Sequence, residues 1–207
     1  MVQAPVAPHA VEAEPVSDEH DHIVILNRAT WADYERLVEL RGESSVPRLT
    51  YSKGRLQLMR PSRHHETLAS VIGRLVEAWC MDAGLDLTPV GSWTLKNVTE
   101  ERGLEPDDCY VFGDAPMDDW ERPDLAIEVV WTSGGLSKLD IYRTLGVPEV
   151  WTWKKSRIHI HVLEGDGYVE VEASRALPEL DVQRVAELAR VRPMTRAVRQ
   201  LRGLEPG

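Results

Sequence analysis

Asp107, Glu128 and Lys138 are the residue types that phosphodiester hydrolysis around a hard divalent ion requires. Carboxylates hold Mg2+ or Mn2+ through oxygen, the ion acidifies water and neutralises phosphate charge, and a Lys orients the attacking water or stabilises developing negative charge. Asp107 opens the strand-like run 107–112, and Glu128 lies inside Pro123-Asp124-Leu125-Ala126-Ile127-Glu128-Val129-Val130. Alternation places Asp124, Ala126, Glu128 and Val130 on one face. Glu128 is therefore a carboxylate among Ile127, Val129, Val130 and Trp131, and burying it is costly unless a cation compensates. Lys138 is the candidate cation. It lies four residues before Tyr142 and shares that residue's inward side of a short helix, and a Lys in a first helical turn opposes the macrodipole, so a compensating anion is expected.

The elements that must position these groups are legible in outline. Thr30-Trp31-Ala32-Asp33 reads as a capping box opening a helix that Gly42 ends. Pro47 to Tyr51 and Arg55 to Met59, joined by Ser52-Lys53-Gly54, read as a hairpin. The clearest helix runs from an N-cap at Ser62 to Ala83, with Gly84 as its stop. Its stripe of Leu68, Val71, Ile72, Leu75, Val76 and Trp79 follows the 3.6-residue period, with His65 inside the stripe and Glu66 on the opposite side. Strands are expected at 86–96, 107–112, 124–131, 148–153, 157–163 and 168–172, and helices at 136–145, 181–190 and 194–202. Helices interleaved with strands in this order indicate an α/β or α+β domain, a mixed sheet flanked by α-helices.

The chain has 207 residues, enough for one domain and a tail. Residues 1–22 hold three prolines, five acids and no Lys or Arg, and read as a flexible acidic tail before a single domain at 23–207. Its apolar stretches are broken by charge well short of the roughly 18–20 residues a membrane span needs, and no basic-then-apolar leader opens it, so neither secretion nor membrane insertion is expected. Cys80 and Cys109 fall in core-like segments and supply neither a disulfide framework nor a zinc site, which suits a reducing cytoplasm. A net charge of −10 argues against a nucleic-acid partner, but the acid is concentrated. Residues 1–22 carry −5 and residues 100–124 carry −8, leaving +3 on the other 160 residues.

Pro106-Asp107, the string from Pro123 to Val129, Lys138, Tyr142 and Gly146-Val147-Pro148-Glu149-Val150-Trp151 together resemble the Uma-type restriction-endonuclease family of the PD-(D/E)XK nuclease superfamily, over most of residues 30–190. The resemblance implies a restriction-endonuclease-like core and Mg2+-dependent (or Mn2+-dependent) cleavage of DNA. It matches Asp107 to the Asp of the superfamily pattern and Glu128 to the D/E, and it adds the backbone carbonyl of Val129 as a metal ligand. The pattern's Lys position, two after Glu128, holds Val130, and Lys138 stands where a Lys on the following helix substitutes. The superfamily's helix-borne acid or His falls at His65-Glu66, and both remain candidates, the helical wheel favouring His65. Reaching both strands of a duplex calls for a homodimer.

Each signal also has a plainer reading. Asp107 and Glu128 suit a strand-entry cap and a core ion pair, and Asp124, about 13 Å along the strand from Glu128, suits a turn. His20-Asp21-His22 is incidental if the tail is solvated, and His159 and His161 alternate as on an ordinary surface face. Trp151 and Trp153 suit a core or a dimer interface better than base stacking, and Arg192, Arg196 and Arg199 suit a solvated helix face. Gly134-Gly135 lacks the further residues of a phosphate-binding loop. Against the nuclease stands an alternative, a non-catalytic interaction or regulatory module that retains the fold, favoured by the acidic balance and by Val130.

Overall fold

The computed structural model describes residues 19–131 and 134–205. The chain runs β1 (His22–Asn27), α1 (Trp31–Arg41), β2 (Arg48–Ser52), β3 (Arg55–Arg60), α2 (Arg63–Ala83), β4 (Leu87–Pro89), β5 (Leu95–Asn97), β6 (Arg102–Leu104), β7 (Asp108–Phe112), β8 (Leu125–Val129), α3 (Leu139–Leu145), β9 (Glu149–Lys154), β10 (Arg157–Glu164), β11 (Gly167–Val171), α4 (Val182–Leu188) and α5 (Met194–Leu201). The capping box of α1 forms, with Thr30 Oγ1 accepting from Asp33 N at 3.2 Å and Thr30 N donating to Asp33 Oδ2 at 2.7 Å. Helix α2 starts on the Ser62 hydroxyl and stops at Gly84, whose φ of 69° suits a residue without a Cβ.

A six-stranded mixed sheet, in the order β11-β10-β9-β8-β7-β4, forms the centre. Among the described strands only β8 and β9 pair in parallel, joined by the crossover through α3. On one face α2, α4 and α5 cover Leu125, Ile127, Val129, Trp151 and Trp153. On the other α3 packs its Ile141 and Tyr142 on Cys109, Ala126 and Val150. This is the expected mixed sheet flanked by helices. The alternation along β8 sends Leu125, Ile127 and Val129 to one side and Ala126 and Glu128 to the other, so the sheet's own pleat delivers Glu128 to the α3 face.

A second, antiparallel sheet, in the order β1-β3-β2-β6-β5, goes beyond what the strand patterns indicate. The expected strand at 86–96 is two strands in different sheets, because the chain turns at Gly91, φ 69°, between β4 and β5. Helix α1 closes this sheet over Trp31, Tyr34, Leu49, Tyr51 and Leu56, and Leu95 and Leu104 join the α3 core and tie the two sheets together. The boundary at residue 22 falls inside the folded region: β1 pairs with β3 from His22 onward, and Asp21 is buried. No helix among the described residues is long and apolar enough to cross a membrane.

Candidate active site

The antiparallel β7–β8 register pairs Asp108 with Ile127 and Cys109 with Ala126, and one step further it sets Asp107 opposite Glu128. Both are buried, so the cost of their charges must be met by partners. The Asp107 carboxylate has them on every side: Oδ1 accepts from the Arg48 guanidinium, and Oδ2 accepts from Val129 N–H at 2.6 Å and faces His65 Nε2 at 2.8 Å. Glu128 Oε2 accepts from Lys138 Nζ at 2.7 Å, and its Oε1 accepts from the Tyr142 hydroxyl. Lys138 also donates to the Glu105 carbonyl at 3.3 Å.

Behind these lies a further layer. His65 Nδ1 faces Asp21 Oδ2 at 3.1 Å, and Asp21 Oδ1 accepts from Ser62 N–H at 2.8 Å. A carboxylate without a proton only accepts, so an imidazole between two of them carries a proton on both nitrogens. Burial pulls that imidazolium down, but the Asp107 charge and the hydrogen bonds to Asp107 and Asp21 outweigh it and push His65 up to about 9. Burial likewise works against the Asp107 anion, yet His65, Arg48 and Lys138 hold the carboxyl well below its ordinary range. Glu128 goes the other way. Its burial, helped by the Asp107 charge, raises it above the usual carboxylate value against the pull of Lys138. The two carboxyls are thus shifted in opposite directions, Asp107 down and Glu128 up.

Asp107 and His65 thus belong to one hydrogen-bonded cluster with Arg48, Asp21 and the Val129 N–H, and Glu128 and Lys138 to a second with Tyr142, the two set side by side by the β7–β8 register. Lys138 is the N-cap of α3 rather than part of its first turn, and its side chain makes no capping bond, so the ammonium is free to lean back onto Glu128. Glu66 is half-exposed at the rim and joins through Arg48 Nη2 at 2.9 Å. Asp124 accepts from Phe112 N–H at 2.8 Å and serves the strand end. Sequence reasoning misses Arg48, since nothing in a strand of a separate sheet announces where its guanidinium reaches. Asp21 falls in the stretch that composition assigns to the tail. Tyr142 is legible only as the apolar partner of Lys138.

Glu128, Val129, Lys138 and Tyr142 line a cavity of about 490 Å³ open to solvent, closed on one side by Gln57 and Met59 of β3 and floored on the other by β9 and β10. His159 and His161, expected on an ordinary surface face, line it. The Asp107 carboxylate lies behind this wall with no exposure of its own. Among the described residues no three His, Cys, Asp or Glu side chains are grouped to hold a metal. Mg2+ does not ask for three, being ordinarily bound by one or two carboxylates with waters and substrate phosphate oxygens. The hard-oxygen pair of Asp107 and Glu128, with the Val129 backbone beside it, has the donor chemistry for such an ion. Arg48 and Lys138 now supply the positive charge that the ion would bring.

Residues 31–195 match the model of the Uma2 family, described as "Putative restriction endonuclease". Among solved structures the chain is similar to a "putative nuclease belonging to DUF820" from Anabaena variabilis, at 12% sequence identity and a TM-score of 0.46, over 77% of this chain and 98% of that one. No curated protein matches it.

Proposed function

We propose, from the premise that this chain belongs to the Uma2 family of restriction endonucleases, that it is a nuclease hydrolysing DNA phosphodiester bonds with Mg2+ or Mn2+. The observation that supports this reading is the placement of Asp107 opposite Glu128, one step beyond the paired residues of β7 and β8, with the Lys138 ammonium on Glu128 at the wall of an open cavity. Asp107, Glu128 and the Val129 carbonyl would hold the ion, which supplies Lewis acidity to phosphoryl oxygen and to water. The chain's own groups do the rest. Lys138, tethered by Glu128 and the Glu105 carbonyl, presents its charge to the cavity, where it orients water and offsets the charge developing on phosphorus-bound oxygens. His65 keeps its proton on Nε2 toward Asp107 and fixes that carboxylate in its ionised form. Tyr142 donates to Glu128 and holds its rotamer, and Val129 N–H does the same for Asp107. Glu66 steadies Arg48 from the rim. A homodimer, one site per strand, is the working unit we assign for duplex cleavage.

A non-catalytic module finds support in one observation, the complete partnering of Asp107 by Arg48, His65 and Val129. One assay separates the two readings. Plasmid, linear duplex and single-stranded DNA are incubated with the protein in Mn2+ or in EDTA, with Lys138→Ala and Asp107→Asn alongside. Cleavage in Mn2+ but not in EDTA, falling about 10²–10³-fold with Lys138→Ala, is expected. Cleavage that persists in EDTA, or that Lys138→Ala leaves intact, refutes the mechanism, and no cleavage under any condition favours the module.

A further inference from the structure

The face of the central sheet that carries Glu128 continues across β9 and β10. The parallel β8–β9 register places Glu128 beside Thr152, and the antiparallel β9–β10 register places Thr152 beside His159. One row further toward the hairpin tip, Lys154 is paired directly with Arg157. Thr152, Lys154 and His159 line the same cavity as Glu128 and Lys138. His159 Nδ1 is bound to Glu170 Oε1 at 2.7 Å, which leaves Nε2 as the nitrogen available to a ligand.

Like charges set directly opposite each other on a sheet face are destabilising. Glu170, the acid that holds His159, is near enough to feel the Arg157 charge. Among the described residues neither cation makes an ion pair within 4 Å, so Glu170 offsets Arg157 only at longer range. The hairpin tip adds to the concentration. Lys155 and Ser156 form its two-residue turn, both at positive φ of 49° and 66°, as a type I′ hairpin turn requires. Arg190 donates to Ser156 Oγ at 3.1 Å from the segment after α4. The rows lie about 7 Å apart along the strands at the ordinary rise, so an anion held at the Lys154 row is a close neighbour of one at the Glu128 row.

We propose that Lys154 and Arg157, with Thr152 and His159 in the adjoining row that they share with Glu128, form a subsite for the DNA backbone phosphate that neighbours the cleaved one. The proposal rests on the nuclease reading for the words "the cleaved one", and stands apart from it as a DNA-binding site. It resolves the conflict between an acidic protein and a polyanionic substrate. Despite a net charge of −10, the chain meets DNA through a local strip of positive charge along the face that carries Glu128.

The test is binding without chemistry. A fluorescein-labelled DNA oligonucleotide, single-stranded and duplex, is titrated with the full chain in EDTA across a range of salt. The variants are Lys154→Ala, Arg157→Ala, Lys154→Arg, and Arg36→Ala as an exposed cation on α1. Affinity is expected to fall several-fold in each of the first two, with the slope of log K against log salt shallower by about one for each phosphate no longer neutralised. Lys154→Arg restores most of it, and Arg36→Ala changes neither quantity. Affinity within two-fold of wild type with an unchanged slope in both alanine variants overturns the subsite, as does an equal loss in Arg36→Ala or no measurable DNA binding by the wild type. If the slope falls as expected but the wild type cleaves nothing with Mg2+ or Mn2+, the subsite holds and the nuclease reading is what fails.

Discussion

Replacing Lys138 by Met separates the two ends of the Glu128–Lys138 pair, because they differ in how easily each recovers. The side chains are 12% and 8% exposed, and the pair is 2.7 Å apart. An ammonium that lines an open cavity finds water with a small rotation of its stem, whereas Glu128 is fixed in the middle of β8. In Lys138→Met the Glu128 carboxylate keeps the Tyr142 hydroxyl and loses the one cation that it is hydrogen-bonded to among the described residues, Arg48 acting on it only at longer range. Breaking a buried pair from one side costs about 3–5 kcal/mol, and the surviving Tyr142 bond puts this case at the low end, about 3 kcal/mol. In a domain of this size that lowers the melting temperature by about 6–12 °C. The sign with pH follows from Glu128, whose carboxyl is already raised by burial and rises further without Lys138. Protonated Glu128 needs no cation, so the deficit is full above the variant's Glu128 pKa and shrinks as pH falls through it. Melting curves of wild type and Lys138→Met at pH 8 and pH 5, with the double variant Glu128→Gln/Lys138→Met as reference, measure this. The double variant recovers most of the loss at pH 8. A single variant that melts within a degree of wild type at pH 8, or a deficit that grows toward acid, refutes the assignment of Glu128 as a buried anion held by Lys138.

His65, pushed up to about 9 by its two carboxylates against the effect of burial, contributes stability that is whole below about pH 6.5 and is lost as pH rises through 9, roughly 3 kcal/mol in all; urea titrations of wild type against His65→Gln should show a slope over that range only in the wild type. Asp107, held low, has the opposite window, and its contribution fades only as pH falls below the ordinary carboxylate range. Gly73→Ala gains helix propensity of about 1 kcal/mol, but its Cβ would sit 2.5 Å from Asp108 Oδ2 and 2.7 Å from the Tyr110 hydroxyl. Overpacking of that kind costs about 1–3 kcal/mol, so a small net destabilisation is expected, and a more stable variant in urea would contradict the packing described for α2 on β7.

The local signals identified what lies along one element and failed at what bridges two. Strand alternation put Glu128 on a face of its own amid apolar neighbours, and helical spacing put Lys138 on the side of Tyr142; both are short-range patterns, and the structure brings those groups together. The period of α2 likewise placed His65 among its buried residues. Arg48 carries no such mark, because its role depends on a second sheet whose strands β1, β5 and β6 are short or follow no clean alternation. Asp21 is lost for a related reason. The run before it is proline-rich and acidic, and composition alone does not show where such a run stops and pairing with β3 begins. His159 and His161 alternate as a solvated face does, and only the register with Glu128 reveals that their face is the cavity floor.

The anchoring of Asp21 to Ser62 N–H and His65 bears on how the gene should be cut. A shortened version begun at the first strand residue would leave a protonated ring facing Asp107 without its second carboxylate and the Ser62 N–H without its acceptor. Trimming for crystals is better stopped several residues upstream, so that this acid keeps its natural lead-in.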